Sequence, residues 1–151
     1  MVGRPWRRQH AQRFCLTTPG QLMCMDKIFI TLAGFFGASG VALGAYASHG
    51  HIFADDAARA SMQMAVQYQM LHALALLALG IWARAGGKSV PLLAAGALFT
   101  LGILVFSGFI YLRTLGVTEA LRGFVPSGGV ALMLGWLCAA VAAWRPAPAR
   151  A

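Results

Sequence analysis

Nine side chains in this sequence have the chemistry to bind a ligand, carry a proton or hold a metal: His49, His51, Asp55, Asp56, Tyr68, Gln69, His72, Ser107 and Tyr111. Tyr68, Gln69 and His72 are the most informative, because positions four and three before a helical residue share its face. They fall in residues 64–83, a stretch of 20 without Asp, Glu, Lys or Arg. At about 1.5 Å per residue such a stretch crosses a hydrocarbon layer of about 30 Å, and His72 then lies about 12 Å inside it. An unpaired polar group costs several kcal/mol there, so His72 needs a partner. Two chemistries satisfy it. One is a polar link between helices, with Ser107 or a backbone carbonyl as partner, at about 1 kcal/mol. The other is a ligand or proton site, the default reading of an ionisable residue inside a membrane.

His49-Gly50-His51 with Asp55 and Asp56 is a weaker pattern. Imidazoles two apart followed by carboxylates have the donors for a divalent ion. Loop residues of these types are more often solvated, however, and either aspartate can cap a helix that opens at Ala57. No metal and no cofactor is expected. Cys15, Cys24 and Cys138 form no CxxC and give no disulfide framework. No nucleophile elbow, phosphate loop or HExxH is present, so no catalytic residue is assigned and no enzyme is expected.

The elements that must position these residues are apolar blocks. Of 151 residues, 59% are hydrophobic and 11% charged, where a soluble domain carries about 25% charged residues. The spacing predicts an all-α, polytopic membrane protein of four helices in an antiparallel bundle, with spans at 28–47, 64–83, 90–112 and 124–144. Ser89 reads as an N-cap ahead of Pro91. Thr100 and Ser107 are placed to bond carbonyls one turn back. In the first span Ala33, Gly37, Gly40, Gly44 and Ser48 recur at helical spacing; in the fourth, Gly128, Gly135, Ala139 and Ala142 do so. Small residues in register let helices approach closely in lipid. They are read as packing seams within the chain, or as faces for a second copy or another membrane protein.

Residues 1–24 differ from the rest, being basic, free of acids and without apolar periodicity. They read as an extension that is disordered, removed as a targeting segment, or bypassed by translation from Met23 or Met25. A signal peptide ending at Ala45-Tyr46-Ala47 competes with the first span, although the apolar run exceeds the 7–15 residues of a usual h-region. The net charge of +8 follows the same division. From Met25 onward eight basic residues face four acidic ones, leaving +4, and no run of five basic residues suggests nucleic acid.

With four spans, the N-terminus, the turn at 84–88 and the tail at 146–151 share one side. Arg4, Arg7, Arg8, Arg13, Lys27, Arg84, Lys88, Arg145 and Arg150 lie there, against Arg59, Arg113 and Arg122 on the other. Basic residues favour the inside, so both termini are expected in the cytoplasm. The polar residues then gather toward the outer halves of the spans.

Four segments, LGAYASHG (43–50), YQMLHALALL (68–77), FSGFIY (106–111) and PSGG (126–129) followed by Gly135-Trp136, are together similar to the YgdD/YwdK-like family of small inner-membrane proteins. The resemblance covers about residues 25–145. It implies a four-span bundle in the bacterial plasma membrane, with no established activity or cofactor. Its recurring positions fall on Gly44, His49, Tyr68, Gln69, His72, Ser107, Tyr111, Pro126 and Gly128. This chain departs from the family at Ser48, Phe109 and Val125. The last two replace hydroxyl residues, which weighs against a hydroxyl-rich pocket. A structural or accessory membrane component is the reading that results, and the alternative is a carrier of a small polar solute or metal ion.

Overall fold

The computed structural model describes residues 19–49, 53, 55–86, 89–117 and 120–144. They form helices α1 (Pro19–Ser48), α2 (Asp56–Arg84), α3 (Val90–Gly102), α4 (Gly108–Thr114) and α5 (Val125–Ala143). A π-helical turn, Ile103–Ser107, joins α3 to α4 so that the two make one continuous third span, and a 3₁₀ turn, Ala120–Phe124, leads into α5. Four helices are therefore long and apolar enough to cross a membrane: Met25–Ser48, Asp56–Arg84, Val90–Thr114 and Val125–Ala143.

The helices outrun the charge-free blocks at several ends. Helix α1 begins at Pro19, inside the stretch read as an extension, because Pro is tolerated in a first turn where its missing N–H costs nothing. Helix α2 begins at Asp56 rather than 64, since Asp55 caps it by accepting from Ala58 N at 2.7 Å. Ser89 caps α3 through Leu92 N, as its spacing indicates.

Helix α2 and the third span form the centre. Helix α1 packs chiefly on α2, and α5 chiefly on α3 and the π turn. The main core joins Phe29 and Phe36 of α1, Leu76 and Leu79 of α2, Leu92 and Phe99 of α3, Ile103 of the π turn and Leu132 of α5. A second cluster toward the other end joins Ala47, Met62, Ala65, Ile110 and Tyr111. Large apolar residues such as Val41, Leu74, Leu101 and Leu137 point outward on every span. Water would penalise such a surface and lipid does not.

Glycines set the closest approaches. A Cβ on Gly128 would overlap the backbone of Phe106 in the π turn, and one on Gly96 would overlap the Phe29 ring. Gly135 leaves room for the Phe99 ring, and Gly40 and Gly44 admit Met70 and Val66 of α2. Gly37 departs from the expected seam: nothing lies within 4 Å of its would-be Cβ. The seam between α1 and α2 therefore begins at Gly40. Gly37 and Gly34 instead border a lipid-facing groove of about 240 Å³ with Met70 and Leu74.

Candidate functional site

The polar residues singled out by spacing converge as a chain of hydrogen bonds between spans. Gln69, 3% exposed on α2, donates from Nε2 to the Phe36 carbonyl at 2.7 Å and to Ser39 Oγ at 2.9 Å, both on α1. Its Oε1 accepts from Tyr111 of α4 at 3.0 Å. A carbonyl only accepts, which fixes the amide orientation. Ser39 passes its own proton back to Phe35 O at 2.8 Å. One amide thus ties α1, α2 and the third span together.

His72, also 3% exposed, is held on both ring nitrogens. Nδ1 lies 2.7 Å from Tyr68 O one turn earlier, and Nε2 lies 3.1 Å from Trp136 Nε1 of α5. The carbonyl requires a proton on Nδ1, and the indole N–H requires a lone pair on Nε2. The geometry therefore fits one neutral tautomer with both ring positions in use. Phe99 and Trp136 pack on the imidazole with ring centroids 5.3 and 6.0 Å away, and Tyr68 stacks at 6.1 Å. Tyr68 also meets Phe106 of the π turn at 4.9 Å.

Ser107 is completely buried. It was expected to bond one turn back along its own helix or to reach His72, and does neither. Its hydroxyl donates to Ala65 O of α2 at 2.9 Å. A wider π turn shifts side chains relative to a regular helix, and Ser107 is the last residue of that turn. Thr100, in regular helix, does bond back to Gly96 O at 2.9 Å.

The remaining expectations divide. His49 is exposed at the end of α1, and among the described residues its side chain joins no hydrogen bond of the cluster. Asp55 is occupied as the α2 cap and Asp56 stands in the first turn. His51 lies outside the described residues. Among the described residues no three His, Cys, Asp or Glu side chains group as a metal set.

Three participants escaped the sequence reading. Ser39 sits in the first span without a motif. Trp136 could have been noticed, because an indole in mid-span is far from the interface where tryptophans concentrate. Asp26 appeared to be part of a charged leader. It is in fact buried within α1 and pairs with Arg84 Nε of α2 at 3.2 Å, closing the opposite end of the α1–α2 contact.

The comparisons with known proteins agree with this architecture. The family model described as "Protein of unknown function (DUF423)" matches residues 43–129. A UPF0382 membrane protein of Staphylococcus aureus (strain bovine RF122) is 33% identical over 120 residues, covering 79% of this chain and 97% of the relative. One from Haemophilus influenzae is 32% identical, covering 80% and 97% respectively. The UPF0382 membrane protein YwdK of Bacillus subtilis is 33% identical, covering 78% and 96%. No solved structure matches. A polar chain inside four apolar spans, with relatives of the same kind over nearly their whole length, places this protein in the DUF423 family of membrane proteins of unknown function.

Proposed function

We propose that the protein is a structural or accessory component of the cell membrane rather than an enzyme or a carrier. One observation carries this reading. The buried polar side chains Gln69, His72, Ser107 and Tyr111 are each bonded to a group on another span. Bonds of this kind hold helices in register, at about 0.6 kcal/mol each on average. A carrier instead needs groups whose lone pairs or protons are available to cargo.

In this reading both termini face the cytoplasm, supported by the nine basic residues at that end against three at the other. A partner helix, from another membrane protein or a second copy, approaches α1 at Gly34 and Gly37, where the chain's own packing leaves small residues unused.

Native mass spectrometry of the purified protein, compared with its His72→Asn and His72→Leu variants, tests the proposal. The expected result is no retained metal or small solute in any of the three, with lowered thermal stability in the leucine variant. A solute or ion retained by the wild type and lost from a folded asparagine variant would overturn it. Reporter fusions at the turn after Arg84 test the orientation and should report cytoplasm.

A further inference from the structure

A second polar feature lies apart from the hydrogen-bonded chain. Between the first turns of α2 and the end of α4, a cleft of about 310 Å³ is lined by Asp55, Ala58 and Ser61 on one element and Arg113, Thr114 and Gly116 on the other. Its depth follows from helix length. The 29 residues of α2 measure about 44 Å, against about 30 Å of hydrocarbon. Arg84, with its side chain 60% exposed, marks the boundary at the far end. Counting about 20 residues back places the near boundary around Met64. Ser61 is then about 5 Å and Asp55 about 14 Å beyond it, which spans the headgroup layer. Helix tilt only draws the cleft closer to the bilayer.

The lining carries both signs of charge. A plain anion approaching Arg113 also meets the carboxylates of Asp55 and Asp56. A plain cation approaching Asp55 meets Arg113 and the positive end of α2. A zwitterion with a phosphate and an ammonium a few atoms apart suits both. Guanidinium pairs well with phosphate oxygens, and the Ser61 and Thr114 hydroxyls stand in the same lining. Asp55 gives Oδ1 to Ala58 N–H and keeps Oδ2 for a second donor. A primary ammonium has N–H groups to offer that oxygen, and a trimethylated one has none.

The geometry points to this cleft as a binding site for a phosphoethanolamine group, with phosphate on Arg113 and ammonium on Asp55. A membrane phospholipid and a soluble ester both supply that chemistry, and the level of the cleft in the bilayer favours the lipid.

The test uses the full chain with equimolar phosphatidylethanolamine, phosphatidylcholine and phosphatidylglycerol, read by native mass spectrometry. Glycerophosphoethanolamine is added as a soluble competitor. The wild type should retain phosphatidylethanolamine preferentially. Asp55→Asn keeps the cap, because Asn caps as well as Asp, and should erase the preference over phosphatidylcholine. Arg113→Gln should lower retention of both about tenfold, the loss expected for one charge-assisted hydrogen bond. Circular dichroism confirms that each variant is folded. Competition by the soluble ester would support the site with a soluble source, and its failure to compete would support the lipid. Equal retention of the three lipids, a preference for phosphatidylglycerol, or an Asp55→Asn variant that keeps the wild-type preference would overturn the proposal.

Discussion

Replacing Gln69 by leucine, alone and together with Tyr111→Phe, measures how much the buried amide holds the spans together. Leucine fills much of the glutamine volume, so the change removes hydrogen bonds more than packing. Three are lost: two to α1, at 2.7 and 2.9 Å, and one from Tyr111, at 3.0 Å. At about 0.6 kcal/mol each for interhelical bonds in lipid, that amounts to about 2 kcal/mol. The Tyr111 hydroxyl, now buried without its acceptor, adds about 1–3 kcal/mol. Gln69→Leu should therefore cost about 3–5 kcal/mol, and Tyr111→Phe about 1 kcal/mol. In the double variant no hydroxyl is stranded, so its cost should fall short of the sum by about 1 kcal/mol or more. Equilibrium unfolding in mixed dodecyl maltoside and dodecyl sulfate micelles, followed by circular dichroism, gives all four free energies. If the two single costs simply added, the Gln69–Tyr111 bond would contribute nothing to the fold and the structural reading would lose its main support.

Two further perturbations separate close packing from open surface and test the aromatic contact. Gly128→Ala drives a Cβ into the Phe106 backbone, which cannot rotate away, whereas Gly37→Ala meets nothing within 4 Å. The first should destabilise by several kcal/mol, while the second should be neutral or stabilise by up to about 1 kcal/mol through helix propensity; thermal melts in detergent compare them directly. Trp136→Phe keeps an aromatic ring beside Phe99 but removes the N–H that meets His72 Nε2. It should cost about 1–2 kcal/mol and alter the ring-proton shifts of a selectively labelled His72 in solution NMR; an unchanged His72 spectrum would show that the indole is not its partner.

Much of this architecture can be read from the sequence because it depends on strong, local signals. Charge-free blocks mark the four spans, Ser89 ahead of Pro91 marks a helix start, and the shared face of Tyr68, Gln69 and His72 marks the polar centre. What could not be read depends on how helices rotate against one another. Glycine spacing aligns Gly37 with Gly40 and Gly44, yet only the latter two face α2 closely. The π turn leaves no trace in composition, since Ile103–Ser107 is an ordinary apolar sequence. Without it, Ser107 would be expected to bond along its own helix like Thr100. Asp26 was obscured for another reason: near the end of an apolar block a carboxylate looks like a boundary marker until its partner Arg84, 58 residues away, is in view.

The placement of the glycines and of the hydrogen bonds bears on one question, whether the polar chain is built to open. Releasing His72 Nε2 for a proton or cargo requires Trp136 to withdraw, and Trp136 moves only with α5. That helix is held where it can least slide, with Gly128 against the Phe106 backbone and Gly135 against the Phe99 ring. Phe99 packs in turn on both Trp136 and His72, with ring centroids 5.1 and 5.3 Å away. Freeing Gln69 likewise requires α4 to carry Tyr111 away, while Ser107, four residues earlier, is anchored to Ala65 O. Close-packed interiors switch between discrete arrangements rather than deforming gradually. Here the contacts that would have to break together include backbone-level approaches on one side and buried hydrogen bonds on the other. A chain that places its tightest packing directly beside its polar groups is organised to keep them closed.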